Sequence, residues 1–298
     1  MVLWCRVRRN GRPGKGRPGA RRPTQGKPVA DGRPGWLLSS APMTDTSPPR
    51  RVAPESGPHL WSAEALSPAD WMIPLGAEAA AEMAAGLASP GMPLARLDPL
   101  LSRVVERLAH GQGFVLLRGL PAPDDTAALL GLLGSRIGRP VLPPPDPGAP
   151  FLTAPADIVL LVCEEAKTVV LRSAAAVHNA MMKANRAALE VLYRPLPHGE
   201  DLDLPVFAVS SGVFSARLDR AAIGRATPPE ALAALDAALD TPGLALTLPL
   251  RPGDVLCLNP FLVWASGAAG LAMLPLVSAG DSRLADGAFA GLAPGASA

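Results

Sequence analysis

Phe151-Leu152-Thr153-Ala154-Pro155-Ala156-Asp157 leads directly into Ile158-Val159-Leu160-Leu161-Val162-Cys163, and the acidic pair Glu164-Glu165 follows. Six consecutive apolar residues between turn formers have the length and composition of a core strand. Residues 151–154 read as a further short strand before it. What stands out is how little of this stretch can do chemistry: Leu152 and Ala154 flank Thr153, and Asp157 is its one carboxylate.

Working outward, strand-like and helix-like runs are interleaved. Downstream, Thr168 to Arg172 reads as a strand, and Ser173 as the N-cap of a helix from Ala174 to about Leu192. Pro205–Val209 and Val213–Leu218 form a predicted hairpin through Ser210-Ser211-Gly212. A helix opens at Pro228-Pro229-Glu230, and strands are predicted over 244–250, 254–258, 261–264 and 271–278. Upstream, 75–87 is Ala-rich and helical, and Leu94, Leu97, Leu101, Val104, Val105 and Leu108 recur at helical spacing before a Gly111 cap. Phe114–Arg118 is a short buried strand closed by Gly119, and Asp124 begins a second amphipathic helix. Six prolines between Pro140 and Pro150 require an extended connection. Many short strands on a helical scaffold imply an α+β fold with a jelly-roll core.

Composition sets the remaining bounds. The net charge of +2 is unevenly distributed: residues 1–42 carry ten Lys/Arg against Asp31, a balance of +9, which leaves 18 bases and 25 acids, or −7, for the rest. The globular part is therefore mildly acidic, and a nucleic-acid partner is not expected of it. Residues 1–58 are rich in Gly, Pro and Arg, have no apolar period and are expected to be a disordered tail. They read either as a basic arm that attracts RNA or membrane or, the favoured reading, as sequence upstream of a start at Met43; no apolar segment makes them a signal peptide. The expected division is this tail, a domain over 59–284, and a flexible C-terminal tail over 285–298. Cys5, Cys163 and Cys257 are too few and too apolar in setting for a disulfide framework or zinc site, and they point to the cytoplasm. No membrane span is expected.

From His110-Gly111-Gln112-Gly113-Phe114 through Gly119-Leu120, the chain resembles the TauD/TfdA-like family of Fe(II)- and 2-oxoglutarate-dependent dioxygenases. The likeness extends collinearly over roughly residues 59 to 280. It takes in Trp71-Met72-Ile73, Ala175-Ala176-Val177-His178-Asn179, Glu190-Val191-Leu192-Tyr193, Leu204-Pro205-Val206-Phe207 and Leu250-Arg251-Pro252-Gly253-Asp254-Val255 leading to Asn259. The resemblance implies a double-stranded β-helix, two facing sheets with helices outside. It also implies iron held by a His-x-Asp pair and a distal His, which leave positions for 2-oxoglutarate and oxygen. Here the family's Phe-His-Thr-Asp is Phe151-Leu152-Thr153-Ala154, and the distal His is replaced by Ala265 in Asn259-Pro260-Phe261-Leu262-Val263-Trp264-Ala265-Ser266. The expected 2-oxoglutarate arginine is missing from Leu271–Val277, and the turn after the second core strand is contracted to Lys167-Thr168. On this reading Leu152, Ala154 and Ala265 are vacated metal-ligand positions, and no catalytic or metal residue is assigned. Thr153, Asp157, Asn259 and Trp264 are expected to line an emptied apolar pocket, and no cofactor is expected.

The four histidines, His59, His110, His178 and His198, all precede the distal position. His198-Gly199-Glu200 reads as a solvated loop. His178 and Asn179 either line a pocket or, the favoured reading for His178, the imidazole donates to a backbone carbonyl. Cys163 and Cys257 are read as inert core thiols over nucleophiles. Glu164 and Glu165 point to opposite sides of a strand end, and Asp157 is either the carboxylate nearest the old site or a turn residue. Gly131, Gly134 and Gly138 lack the Lys-Ser/Thr of a phosphate loop. The expected function is a pseudoenzyme that takes an apolar ligand or an active homologous subunit as partner, with self-association also open. The alternative is an active oxidoreductase using ligands the sequence does not reveal.

Overall fold

The computed structural model describes residues 52–141, 149–198 and 202–293; the expectations for residues 1–51, most of the 140–150 connection, the Gly199-Glu200 half of the His-x-acid string and residues 294–298 lie outside them. The strands are β1 (Met72–Pro74), β2 (Phe114–Arg118), β3 (Gly138–Pro140), β4 (Ile158–Val162), β5 (Lys167–Ser173), β6 (Leu196–Pro197), β7 (Asp203–Leu204), β8 (Phe207–Ser210), β9 (Val213–Ala216), β10 (Leu246–Leu250), β11 (Val255–Leu258), β12 (Val263–Ser266) and β13 (Ala272–Ser278). The helices are α1 (Pro68–Trp71), α2 (Ala77–Ala88), α3 (Leu97–His110), α4 (Thr126–Ile137), α5 (Ala174–Ala184), α6 (Arg186–Leu192), α7 (Arg220–Ile223) and α8 (Pro229–Leu239).

A six-stranded sheet in the order β1-β2-β11-β4-β13-β3 faces a three-stranded sheet in the order β10-β5-β12. The β4 strand explains the layering. Val159 and Leu161 point into a core shared with Val169 and Leu171 of β5, Leu248 of β10 and Val263 of β12. Ile158, Leu160 and Val162 point the other way, into a second core with Leu101, Val104 and Leu108 of α3 and Leu129 and Leu133 of α4. A strand covered on both faces has no solvent side to mark with polar residues, which is why Ile158–Val162 is continuously apolar. The result is the α+β double-stranded β-helix expected from the strand pattern.

Several local features differ from expectation. Residues 151–154 are irregular: Pro150 and Pro155 cannot donate to a ladder, and the Leu152 N–H donates to the carbonyl of Ala265 at 2.9 Å. The single helix expected over 174–192 is broken at Asn185, which leaves helical geometry at φ −154° and caps α6 by accepting from Ala188 N at 3.0 Å. The cap of α4 is Asp125, one residue later than expected. The strand expected over 261–264 starts at Val263, because Asn259 turns the chain: its Oδ1 accepts from Phe261 N at 2.9 Å. The φ of Ser211 at 51° and of Gly212 at 80° gives the β8–β9 hairpin the two-residue left-handed turn that its twist favours.

Both tail boundaries also move. Residues 52–58 are tied down, with the carbonyl of Val52 accepting from Arg186 Nη2 at 2.8 Å and Glu55 N donating to Asn179 Oδ1 at 2.8 Å. At the other end a 3₁₀ turn over Gly287–Leu292 buries Phe289, whose ring lies 5.2 Å from that of Phe261. One aromatic anchor is enough to hold this short segment against the body.

Asp254 ties the end of β2 to the turn between β10 and β11. Its carboxylate accepts from Arg118 Nε at 3.0 Å, from Arg118 Nη2 at 2.6 Å and from Arg251 N at 2.9 Å, and it is almost fully buried. Removing it strands the Arg118 guanidinium and an amide together, so Asp254→Ala is expected to lower unfolding free energy in urea by about 3 kcal/mol. A change below about 0.5 kcal/mol, the range of an ordinary surface substitution, would contradict this role.

Candidate functional site

Of the three positions expected to have held a metal, Leu152 and Ala265 are joined directly. The Leu152-to-Ala265 hydrogen bond brings the irregular 151–154 segment against β12, and within β12 Ala265 pairs with Leu171 of β5. Leu152, Ala154 and Ala265 are 7%, 2% and 0% exposed and belong to one continuous apolar core. None of the three offers a lone pair, and none lines either of the two cavities described below.

The residues expected to surround this point have other roles. The carbonyl of Thr153 accepts from Arg217 Nη2 at 3.1 Å. Asn259 Nδ2 donates to the carbonyl of Leu108 at 3.1 Å, so its side chain joins α3 to the turn before β12. Trp264 points away from Ala265 by strand alternation and packs on Phe207 at 5.6 Å; its buried Nε1 has no hydrogen-bond partner among the described residues. Asp157 accepts from the backbone N–H groups of Ser278 and Arg283, both at 2.9 Å, and so fastens the segment after β13. Glu164 and Glu165 are exposed. Cys163 and Cys257 are buried free thiols; burial raises both pKa values, that of Cys257 to about 12, so neither forms a thiolate readily at neutral pH.

The sequence reading missed Arg217. It follows β9 directly, in the run Val213-Phe214-Ser215-Ala216-Arg217-Leu218, and its guanidinium is turned inward onto Thr153. Its Nε and Nη1 are buried without hydrogen bonds, and the Asp219 carboxylate is 3.6 Å from Nη1. Burial lowers its pKa, and Asp219 opposes that shift; an arginine stays protonated regardless. The available signal was a lone arginine in an otherwise apolar strand run.

This arrangement decides whether iron fits the family positions. A divalent cation there would meet three hydrocarbon side chains and a permanent positive charge hydrogen-bonded to the residue between two of them. Among the described residues, no group of three or more His, Cys, Asp or Glu side chains is placed to hold a metal ion. The residues present at 152, 154 and 265 do not fit the metal.

A second polar centre lies on α5. His178 is fully buried; its Nδ1 donates to Asn179 Oδ1 at 3.0 Å and its Nε2 accepts from the Tyr193 hydroxyl at 2.8 Å. The expected bond to a backbone carbonyl is therefore replaced by a side-chain acceptor. The Asn179 amide is oriented by Glu55, whose N–H donates to Oδ1 and whose carbonyl accepts from Nδ2 at 2.9 Å. Phe207 and Phe214 meet the imidazole edge-on at 5.3 and 5.8 Å. Asn179 also lines an open groove of about 450 Å³ with Trp61 and Lys183. His198 Nδ1 pairs with the carbonyl of Leu196 at 2.8 Å.

Burial holds the His178 pKa below its usual 6.5, against the opposing pull of Asn179 and the Glu55 charge. The unfolded chain binds a proton as pH falls below about 6.5 while the folded chain resists it, so folding stability is lost as pH drops through that range. Urea unfolding of the wild type should therefore weaken between pH 7.5 and 5.5 more steeply than that of His178→Gln, by at most about 1.4 kcal/mol per pH unit, the limit for one proton. Parallel pH profiles would show that this imidazole is not held neutral.

No family model and no curated protein matches the sequence. Solved structures do match. An asparagine oxygenase in complex with Fe(II), 2S,3S-3-hydroxyasparagine and succinate has a TM-score of 0.50 at 17% identity, over 70% of this chain and 93% of that one. The non-heme iron oxygenase OrfP in complex with Fe gives 0.46 at 16% identity, over 70% and 93%. A taurine dioxygenase from Burkholderia xenovorans gives 0.43 at 14% identity, over 60% and 82%. The first of these overturns the expectation of no cofactor, since the fold adopted here holds Fe(II) in that protein; what the chain itself shows is narrower, a misfit at residues 152, 154 and 265. The chain has the double-stranded β-helix fold of the TauD-like Fe(II)/2-oxoglutarate oxygenases, as its resemblance implied.

Proposed function

We propose that this chain is a pseudoenzyme of the oxygenase fold, one that acts by binding a small ligand and does not carry out family-type oxidation at residues 152, 154 and 265. The observation that carries the reading is the replacement of the ligand point by packed hydrocarbon with the Arg217 guanidinium beside it. Asn259 and Asp157, two of the polar residues expected around the point, are both hydrogen-bonded to backbone, and residues 152, 154 and 265 lie in one apolar core. A scaffold that keeps its sheets and helices while dropping one charge cluster retains the ability to bind.

The free thiols Cys163 and Cys257 support a reducing compartment such as the cytoplasm. Among the described residues no helix is long and apolar enough to cross a membrane.

Anaerobic calorimetric titration with Fe(II) and 2-oxoglutarate tests the reading. The expected result is no saturable binding in which each depends on the other and, in a separate aerobic assay, no 2-oxoglutarate-dependent oxygen uptake. Mutually dependent binding in the micromolar range would contradict it and favour an active oxidoreductase.

A further inference from the structure

A cavity of about 390 Å³ is enclosed by three separate parts of the chain: the end of α3 at Ala109 and His110, the β8–β9 hairpin, and residues 280–289. Its walls are of two kinds. Phe289, Ala288 and Val213 contribute carbon, while Ser210, Ser211 and Ser215 contribute hydroxyls from the hairpin. Arg283 also faces this space.

The guanidinium of Arg283 is incompletely paired. Its Nη2 donates to the carbonyl of Ala109 at 3.3 Å, whereas its Nε is buried and makes no hydrogen bond. Burial lowers the Arg283 pKa, and the nearby charges of Asp157 and Asp281 oppose that shift without making a contact ion pair. Asp157, the acid nearest in sequence to the old metal point, is committed to the Ser278 and Arg283 amides and so positions the arginine without neutralising it at contact. A permanently charged guanidinium that lines a cavity is a receptor for an anion. The remaining groups narrow the class. Asp281 and Asp286 are exposed and also line the cavity, and they disfavour a dianion; the Phe289 wall favours a hydrocarbon body.

We propose that this cavity binds a small organic monocarboxylate, its carboxylate on Arg283 and the hairpin serines and its apolar part against Phe289 and Val213. The proposal rests on the reading of the protein as a binding protein and names the ligand class and the site. Iron binding and carboxylate binding are read in separate titrations, so either can fail without the other.

Hexanoate is a suitable probe for the full chain, with hexan-1-ol and inorganic phosphate as controls, by calorimetry at neutral pH. Saturable binding of hexanoate is expected, with hexan-1-ol at least about tenfold weaker, a difference of ~1.4 kcal/mol. Phosphate should bind less tightly than hexanoate. Arg283→Met should lose at least the same factor. Val213→Trp, at an exposed position on the cavity wall, should block hexanoate with thermal unfolding unchanged, which keeps the test open if Arg283→Met does not fold. The absence of saturation with hexanoate to about 10 mM, well beyond the ~1 mM expected of a weak specific site, would overturn the proposal. So would undiminished binding by Val213→Trp, or phosphate binding tighter than hexanoate.

Discussion

The 2.9 Å hydrogen bond from the Leu152 amide to the Ala265 carbonyl ties an irregular segment to β12 and fixes what stands where the two facing sheets meet. Leu152 and Ala265, with Ala154, are buried there in one continuous apolar core. A cation in such a place would lose its hydration with nothing in return. The oxygenase fold persists because its stability comes from the two apolar cores on either side of β4, and neither core needs the metal.

The polar groups that remain inside are accounted for differently. His178, Tyr193, Asn179 and Glu55 form a chain in which each donor meets an acceptor, so a neutral imidazole can be kept at zero exposure. Asp157 accepts from backbone amides downstream of β13 and so acts as a structural clamp for residues 278–283. Arg217, Trp264 and Arg283 are among the exceptions, since all three retain buried nitrogens without partners among the described residues. Unmet donors of this kind are where a folded protein holds binding capacity in reserve.

Much of the fold was legible in the sequence because its signals are local. Continuous apolar runs marked β2, β4 and β11, Ser173 marked the start of α5, and Ser211-Gly212 marked the hairpin. The hydrocarbon side chains at 152, 154 and 265 were legible too, since Leu or Ala where a resembled pattern has His or Asp is visible one residue at a time. What could not be read was long-range pairing. That Asn179 would clasp Glu55, that Asp157 would hold Arg283, and that Arg217 would turn inward to Thr153 all depend on contacts between segments more than 60 residues apart. The break at Asn185 was readable in principle, since an asparagine that can cap the next helix competes with helix continuation. The expectation of no cofactor failed for another reason: it extended a local loss at three positions to the whole chain.

The central claim is that the point at residues 152, 154 and 265 does not hold a divalent cation. Anomalous diffraction from crystals soaked in Mn(II) and 2-oxoglutarate measures this directly. The account predicts no anomalous peak within coordination distance of that point and a Leu152–Ala265 hydrogen bond that stays intact. A peak there, with Leu152 displaced or Arg217 turned away to admit the ion, would contradict it.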